Sequence, residues 1–292
     1  MVEDARRLGA VDFDISGGDP LTLGKNFVVE TIRCAAGRGM TASLSTNAQN
    51  LSMKYLEELG AVGLQKIKLS LYGVTADTHD DFTRVPGSFE KLINGITLCG
   101  QAGMEVWVNC VVTPANVEEL RTLASVLGPL EVDLVQLTSV VPCGRGEHAD
   151  SLRFSEDGLE RAIRMLEGCL DDLEYAFTIT LFPDPHMLPF EGRHCDYFHE
   201  RLVVAPDGNV IPCCLLPARL QHSLGNAREG LAEVCTERRI QRDPVFHWLA
   251  RGHEAMRRTL AYEGVSHNLC AVCIDMLSRL NEGGNKGHPA SG

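Results

Sequence analysis

Along the first two-thirds of the chain, short β-branched runs alternate with longer segments whose apolar residues recur every three to four positions. The runs Val11–Ile15, Thr41–Thr46, Lys66–Leu71, Val106–Val112, Val132–Val140 and Phe177–Leu181 predict strands. Between them, Phe27–Arg38, Leu51–Leu59, Ser88–Gln101, Val117–Leu127 and Glu156–Leu170 predict helices. In Ser88–Gln101, Phe89, Leu92, Ile93, Ile96 and Leu98 supply most of the apolar face. Strands that alternate with helices need crossover connections, so the expected class is α/β with a parallel sheet, open or curled into a barrel.

In such sheets ligands bind at the carboxyl ends of the strands. Those positions hold Ser16-Gly17-Gly18-Asp19-Pro20, Ser45-Thr46-Asn47, Ser70-Leu71-Tyr72-Gly73, Asn109 and Pro142-Cys143-Gly144-Arg145. All are small, polar or glycine-rich, which lines one rim with hydrogen-bonding groups and leaves room for a ligand. Each has a plainer reading too. Gly17-Gly18 suits an ordinary strand–helix turn, Ser45, Asn47, Ser70 and Asn109 suit helix caps, and Arg145 suits a surface ion pair. Asp77, Asp80 and Asp81 read as a solvated helix start.

Composition narrows the classes. The 292 residues are 44% hydrophobic and 23% charged, as in an ordinary globular protein, and can bury a substantial core. A net charge of −12 argues against a broad nucleic-acid surface. No apolar run reaches membrane-spanning length, and the charged start Met-Val-Glu-Asp-Ala-Arg-Arg lacks a signal-peptide core, so no membrane partner and a cytoplasmic location are expected. There the eleven cysteines are thiols, which favours metal or cluster ligation over disulfides.

The stretch Cys195 to Cys214 and the later Cys270-Ala-Val-Cys273 carry that chemistry. Arg201–Ala205 and Val210-Ile211 flank Pro206-Asp207-Gly208-Asn209, which predicts a hairpin with one cysteine before it and two at its exit. Cys195, Cys213, Cys270 and Cys273, with Cys214 the alternative to Cys213, form a thiolate set suited to tetrahedral zinc or an iron–sulfur cluster. Cys34, Cys99, Cys110 and Cys169 read as core residues, and Cys143 and Cys235 carry no assigned role. No H-x-x-x-H pair, G-x-S-x-G elbow or phosphate-binding Walker loop occurs; His194 and His199 flank a ligand position but read more simply as solvated.

Together these segments resemble the radical S-adenosylmethionine (SAM) superfamily. Ser16-Gly17-Gly18-Asp19-Pro20-Leu21 is similar to its G-G-E-P turn after the second strand. Ser70-Leu71-Tyr72-Gly73, with Thr78-His79-Asp80 and Pro86-Gly87-Ser88-Phe89, resembles the fourth-strand segment of its peptide-modifying branch. Cys195-x12-Gly208-x4-Cys213 with Cys270-x2-Cys273 resembles the SPASM/twitch extension, which holds auxiliary [4Fe–4S] clusters. The resemblance implies a partial (β/α)6 barrel over 1–185, a cysteine-rich SPASM/twitch-like domain over 186–281 and a disordered tail over 282–292. It implies SAM contacts at Gly17, Gly18, Asp19, Pro20, Ser45, Asn47, Ser70, Asn109 and Arg145. One auxiliary cluster on Cys195, Cys213, Cys270 and Cys273 follows, because the further SPASM cysteines are missing and Arg279 stands at the first of those places.

One departure limits the activity. The family's C-x3-C-x2-C lies upstream of G-G-E-P, whereas no cysteine here precedes Cys34. The barrel is therefore expected to lack its first strand, as an N-terminally truncated piece or as a relative without radical chemistry, and the chain as given is not expected to cleave SAM. The Val11–Ile15 strand would then be an exposed edge, with poor solubility expected. The full-length parent is expected to modify a peptide or small cofactor precursor through a 5′-deoxyadenosyl radical, fed by a reductant protein. The alternative is a non-catalytic iron–sulfur or zinc-bearing binding module; whether the chain is an enzyme stays open at this level.

Overall fold

The computed structural model describes residues 1–140, 149–155, 178–181, 201–211, 213–214 and 222–242, with scattered positions between 158 and 168. Within these, α1 (Val2–Arg7), β1 (Asp12–Ile15), α2 (Lys25–Ala36), β2 (Thr41–Thr46), α3 (Met53–Ala61) and β3 (Leu64–Leu71) open the chain. They are followed by α4 (Ala76–Thr83), α5 (Ser88–Gln101), β4 (Glu105–Val112), α6 (Leu123–Leu127), β5 (Leu134–Ser139) and β6 (Thr178–Leu181). The hairpin strands β7 (Val203–Val204) and β8 (Val210–Ile211), then α7 (Leu231–Val234) and α8 (Glu237–Arg242), complete the described elements.

Strands β1 to β6 form one parallel sheet in chain order, β1-β2-β3-β4-β5-β6. Crossovers between parallel strands are right-handed, so a strictly sequential order puts every connecting helix on the same face. A doubly wound sheet would need a reversal of order, and there is none. The structure is therefore the curled, one-sided α/β arrangement of a partial barrel, and β1 is an edge strand paired only with β2 among the described residues.

The helices earn their places through their apolar stripes. Val28, Val29, Ile32 and Ala35 of α2, Leu56 and Leu59 of α3, and Leu92, Ile96 and Cys99 of α5 are buried. All of these except Ala35 pack with Leu44, Ile67, Leu69, Val106, Val108 and Val135, from alternate strand positions, in one core. Full burial of such side chains stabilises by about 1.5–3 kcal/mol each, before the entropy of ordering them is counted.

Most expected elements appear with their ends shifted by a few residues. Ser52 caps α3 by accepting from Tyr55 N, which moves the helix start from Leu51 to Met53. The helix expected over Val117–Leu127 is instead a 3-10 turn, Val117–Thr122, followed by the short α6. In that turn Glu119 accepts from the backbone N–H of Val74 at 2.7 Å, a long-range tie that periodicity does not register. Most of the helix expected over 156–170 lies outside the described residues.

The hairpin forms as expected. Val203 pairs Ile211 and Val204 pairs Val210, antiparallel. Gly208 adopts φ +92°, and a Cβ there would lie 2.7 Å from Asn226 Oδ1, so both the turn and the neighbouring chain require glycine. The N-terminal helix α1 packs on the same unit. Ala5 lies among Val210, Leu224, Ala227, Leu231 and Val234, and Leu231 N donates to Asp4 Oδ2 at 3.2 Å.

Candidate functional site

The two faces of the sheet differ sharply in chemistry. On β3 and β4, Ile67, Leu69, Leu71, Val106, Val108 and Cys110 are wholly buried beneath the helices. The alternate positions, Lys66, Lys68, Ser70, Trp107 and Asn109, are half-buried on the face that no described helix covers. Register places Ser45 beside Lys68, Lys68 beside Trp107, Ser70 beside Asn109, and Asn109 beside Gln136. Ser45, Ser70 and Asn109, far apart in sequence, thus share one wall within one two-residue step, about 7 Å along the strands. Thr138 on β5 donates to Asn109 Oδ1 at 3.1 Å, which fixes that amide toward the same wall.

At the carboxyl end of β1 the chain turns through Gly17 and Gly18, with φ +83° and +55°. A Cβ at either position would meet nothing within 4 Å. Backbone conformation, and not crowding, demands glycine there, and the result is exposed main chain open to a ligand. Asp19 closes the turn: its Oδ1 accepts from Leu21 N at 3.0 Å, and its two oxygens accept from the Thr46 hydroxyl at 2.9 and 3.0 Å. Pro20 behind it is buried. Asn47 is exposed and accepts from Gln49 N at 3.0 Å, a local turn bond and not a helix cap, since Ser52 caps the helix that follows. Arg145 lies outside the described residues.

A charged group on the inner wall went unnoticed in the sequence reading. Asp14 Oδ1 accepts from Ser43 Oγ at 2.6 Å and lies 3.1 Å from Lys68 Nζ, while Ser45 Oγ reaches Asp14 Oδ2 at 3.4 Å. Next to it, Lys66 Nζ stands 3.8 Å from the Trp107 ring centre and 3.4 Å from Glu105 Oε1, and Trp107 Nε1 donates to Glu105 at 2.7 Å. The available signal was the two-residue alternation in Leu-Gln-Lys-Ile-Lys-Leu-Ser-Leu and Glu-Val-Trp-Val-Asn-Cys, since a parallel strand covered on both faces reads as continuously apolar.

The segment after β3 is a scaffold for the rim. His79 is buried; its Nδ1 accepts from Tyr72 N at 3.2 Å, and loss of hydration holds its pKa below the usual histidine value. Asp80 is a correction to the solvated reading. Its carboxylate accepts from Gly87 N at 2.5 Å and from Ser88 Oγ and Phe89 N at 2.8 Å, so it caps α5. The Phe89 amide is the largest of the influences that lower its pKa. Asn116, wholly buried, donates to the carbonyls of Tyr72 and Val111 and accepts from Thr113 N, joining the turns after β3 and β4.

Of the thiolate set, Cys213 is half-buried just beyond β8 and Cys214 is exposed, while Cys195, Cys270 and Cys273 lie outside the described residues. Cys99 and Cys110 are core residues as expected, and burial pushes both thiols up to about 12. Cys34 is corrected: it is half-exposed, and its sulfur accepts from Arg38 Nη1 at 3.1 Å. Cys143, Cys169, His194 and His199 fall outside the described residues. Among those residues no helix is long and apolar enough to cross a membrane.

Residues 1–127 match the sequence model of the Radical SAM superfamily, and residues 195–274 match that of the SPASM iron–sulfur cluster-binding domain. The AdoMet-dependent heme synthase of Methanosarcina barkeri (strain Fusaro / DSM 804) is 30% identical over 152 residues, which are 52% of this chain and 43% of that protein. The PqqA peptide cyclase of Ruegeria pomeroyi (strain ATCC 700808 / DSM 15171 / DSS-3) is 29% identical over 218 residues, 72% of this chain and 56% of that protein. The matched region is thus about half the length of these relatives. The crystal structure of Streptococcus suis SuiB bound to S-adenosylmethionine shares the fold, with a TM-score of 0.65 at 16% identity over 85% of this chain and 58% of that one.

Proposed function

Because residues 1–127 match the radical SAM superfamily and residues 195–274 match the SPASM domain, we propose that the chain is the SAM-binding and cluster-binding part of a cytoplasmic enzyme that modifies a peptide or cofactor precursor. The observation that carries this reading is the polar wall of the sheet that no described helix covers, with Ser45, Ser70 and Asn109 on neighbouring strands near the open Gly17–Gly18 turn. Relatives named for heme synthesis and for cyclisation of a peptide support the substrate class.

The residues fit SAM. Exposed backbone at Gly17 and Gly18 offers carbonyls to an ammonium group, and Asp19 is held rigid by Thr46. Ser45, Ser70, Asn109 and Arg145 are assigned to its ribose and carboxylate, with Asn47 at the mouth. When bound beside a reduced cluster, SAM supplies a 5′-deoxyadenosyl radical that removes hydrogen from an unactivated carbon. The chain's own part is to hold the ligand, orient the carbon and keep water away from it. Cys195, Cys213, Cys270 and Cys273 are assigned to one auxiliary [4Fe–4S] cluster, a set of soft thiolates suited to it. Residues 1–185 make up the barrel part, 186–281 the cluster part and 282–292 a tail.

Anaerobic reconstitution followed by metal analysis and calorimetry with SAM tests the reading. About four iron and four sulfide per chain, with visible charge-transfer absorption, are expected. SAM binding is expected to weaken when Gly18 is replaced by Val. One colourless zinc and no SAM binding would overturn the proposal and favour a binding module.

A further inference from the structure

The charged wall of Asp14, Lys66, Lys68, Trp107 and Glu105 is poorly explained by stability. Partly exposed ion pairs contribute up to about 1 kcal/mol, and an exposed cation–π contact adds about 0.5–1 kcal/mol. Apolar residues at these positions would cost little, yet four charges stand below the rim on the face that no described helix covers.

An inventory of donors and acceptors shows what the wall has to offer. Both Asp14 oxygens are used, receiving Ser43, Ser45 and Lys68; Glu105 Oε1 receives the Trp107 indole and Lys66, while Oε2 of this exposed side chain has no described partner. Asn109 Oδ1 receives Thr138. The donors are used only in part. An ammonium carries three N–H groups, and among the described residues each lysine makes one ion pair, with Lys66 and, at 5.5 Å, Lys68 also lying over the Trp107 indole face, which takes no conventional hydrogen bond. The Asn109 amide N–H2 and the Ser70 hydroxyl stand about 7 Å further up the same face. Asp14 and Glu105 balance the two positive charges, so what the wall has in excess is N–H donor capacity on two ammonium groups, and the complement of such donors is an oxyanion. Side-chain exposures of 17% for Lys66 and 24% for Lys68 leave the ammonium groups reachable while removing part of the water that would screen them.

We propose that Lys66 and Lys68 receive a carboxylate group of the substrate, and that Asp14 and Glu105 hold the two ammonium groups in place for it. This rests on the reading that this face lines the reaction chamber. It deepens that reading by naming the substrate as an acid, either an acidic side chain of a peptide or the carboxylate of a small precursor. The wall would hold the anionic end one strand-step below the SAM-binding rim, leaving a neighbouring carbon facing the rim.

Titration calorimetry of the full chain, with no cluster or SAM added, separates this from the function itself. The probes are a short glutamate-rich peptide with its glutamine counterpart, and a tetracarboxylic porphyrin with its methyl ester. One acid is expected to bind at least tenfold more tightly than its neutral counterpart, and which acid binds identifies the source. Lys68→Gln and Lys66→Gln are each expected to weaken that binding about tenfold, and Lys68→Arg to restore most of it. Equal affinity for acid and neutral forms, no binding of either acid, or unchanged affinity in both glutamine variants would overturn the proposal. Should Lys68→Gln fail to fold, Lys66→Gln and the acid–neutral comparison decide it. A chain that assembles a cluster yet ignores the carboxylate sinks this inference alone; one that binds the acid but no cluster sinks only the radical SAM function.

Discussion

The hydroxyl of Thr46 donates to the carboxylate of Asp19, 2.9 and 3.0 Å from its two oxygens, tying the end of β2 to the glycine turn that follows β1. Thr46 is nearly out of water, 4% exposed, and Asp19 is half-buried. Thr46→Val keeps the shape and removes the donor, leaving Asp19 with the Leu21 amide as its remaining described partner. A stability loss of about 1–3 kcal/mol is expected in denaturant titration. SAM affinity should fall as well, because the turn loses its anchor. Unchanged affinity in a destabilised variant would show that the turn does not hold the ligand.

His79 makes the fold sensitive to mild acid. Its pKa is held below the ordinary value by burial, so between the two values the unfolded chain binds the proton more readily than the folded one. Its stabilising effect is full above about pH 6.5 and is lost as pH falls through the lower folded value. His79→Gln keeps an acceptor for Tyr72 N but does not titrate. Between about pH 7 and pH 5 the wild type should lose more thermal stability than this variant. Parallel curves would remove His79 as the cause.

Asp80 acts in a separate, more acidic window. Its pKa is lowered by the Phe89 amide first, and by Ser88 and Gly87 as well. The stabilisation is present above the ordinary aspartate value of about 3.9 and disappears as pH falls through the folded value. Asp80→Ala should therefore melt below the wild type at neutral pH, with the gap closing as pH falls through the lowered folded value. A gap that persists in acid would mean that packing, not the cap, is what the substitution removes.

The thiols should sort by environment. With values pushed to about 12, Cys99 and Cys110 should resist iodoacetamide in the native state, while half-exposed Cys34 reacts. After anaerobic reconstitution, Cys213→Ala should lose most of its iron and Cys34→Ala should keep it. Equal loss in both, measured by metal analysis, would remove Cys213 from the ligand set.

The chain order of strands and helices, the glycine turn at Gly17–Gly18 and the hairpin around Gly208 were legible without coordinates. Each follows from local rules: a period of two or of nearly four, and a backbone angle that only glycine readily adopts. Asp80 was visible only as one charge among three, because the backbone groups it caps lie seven to nine residues further on. Asp14, Ser43, Lys68 and Trp107 stand on four successive strands, and only strand register brings them together. Sequence by itself determined which segments become strands and which residues near their ends are polar. Tertiary structure decided which face no described helix covers, since the sequential strand order sends the described crossover helices to the other side and leaves charges from distant segments sharing one wall.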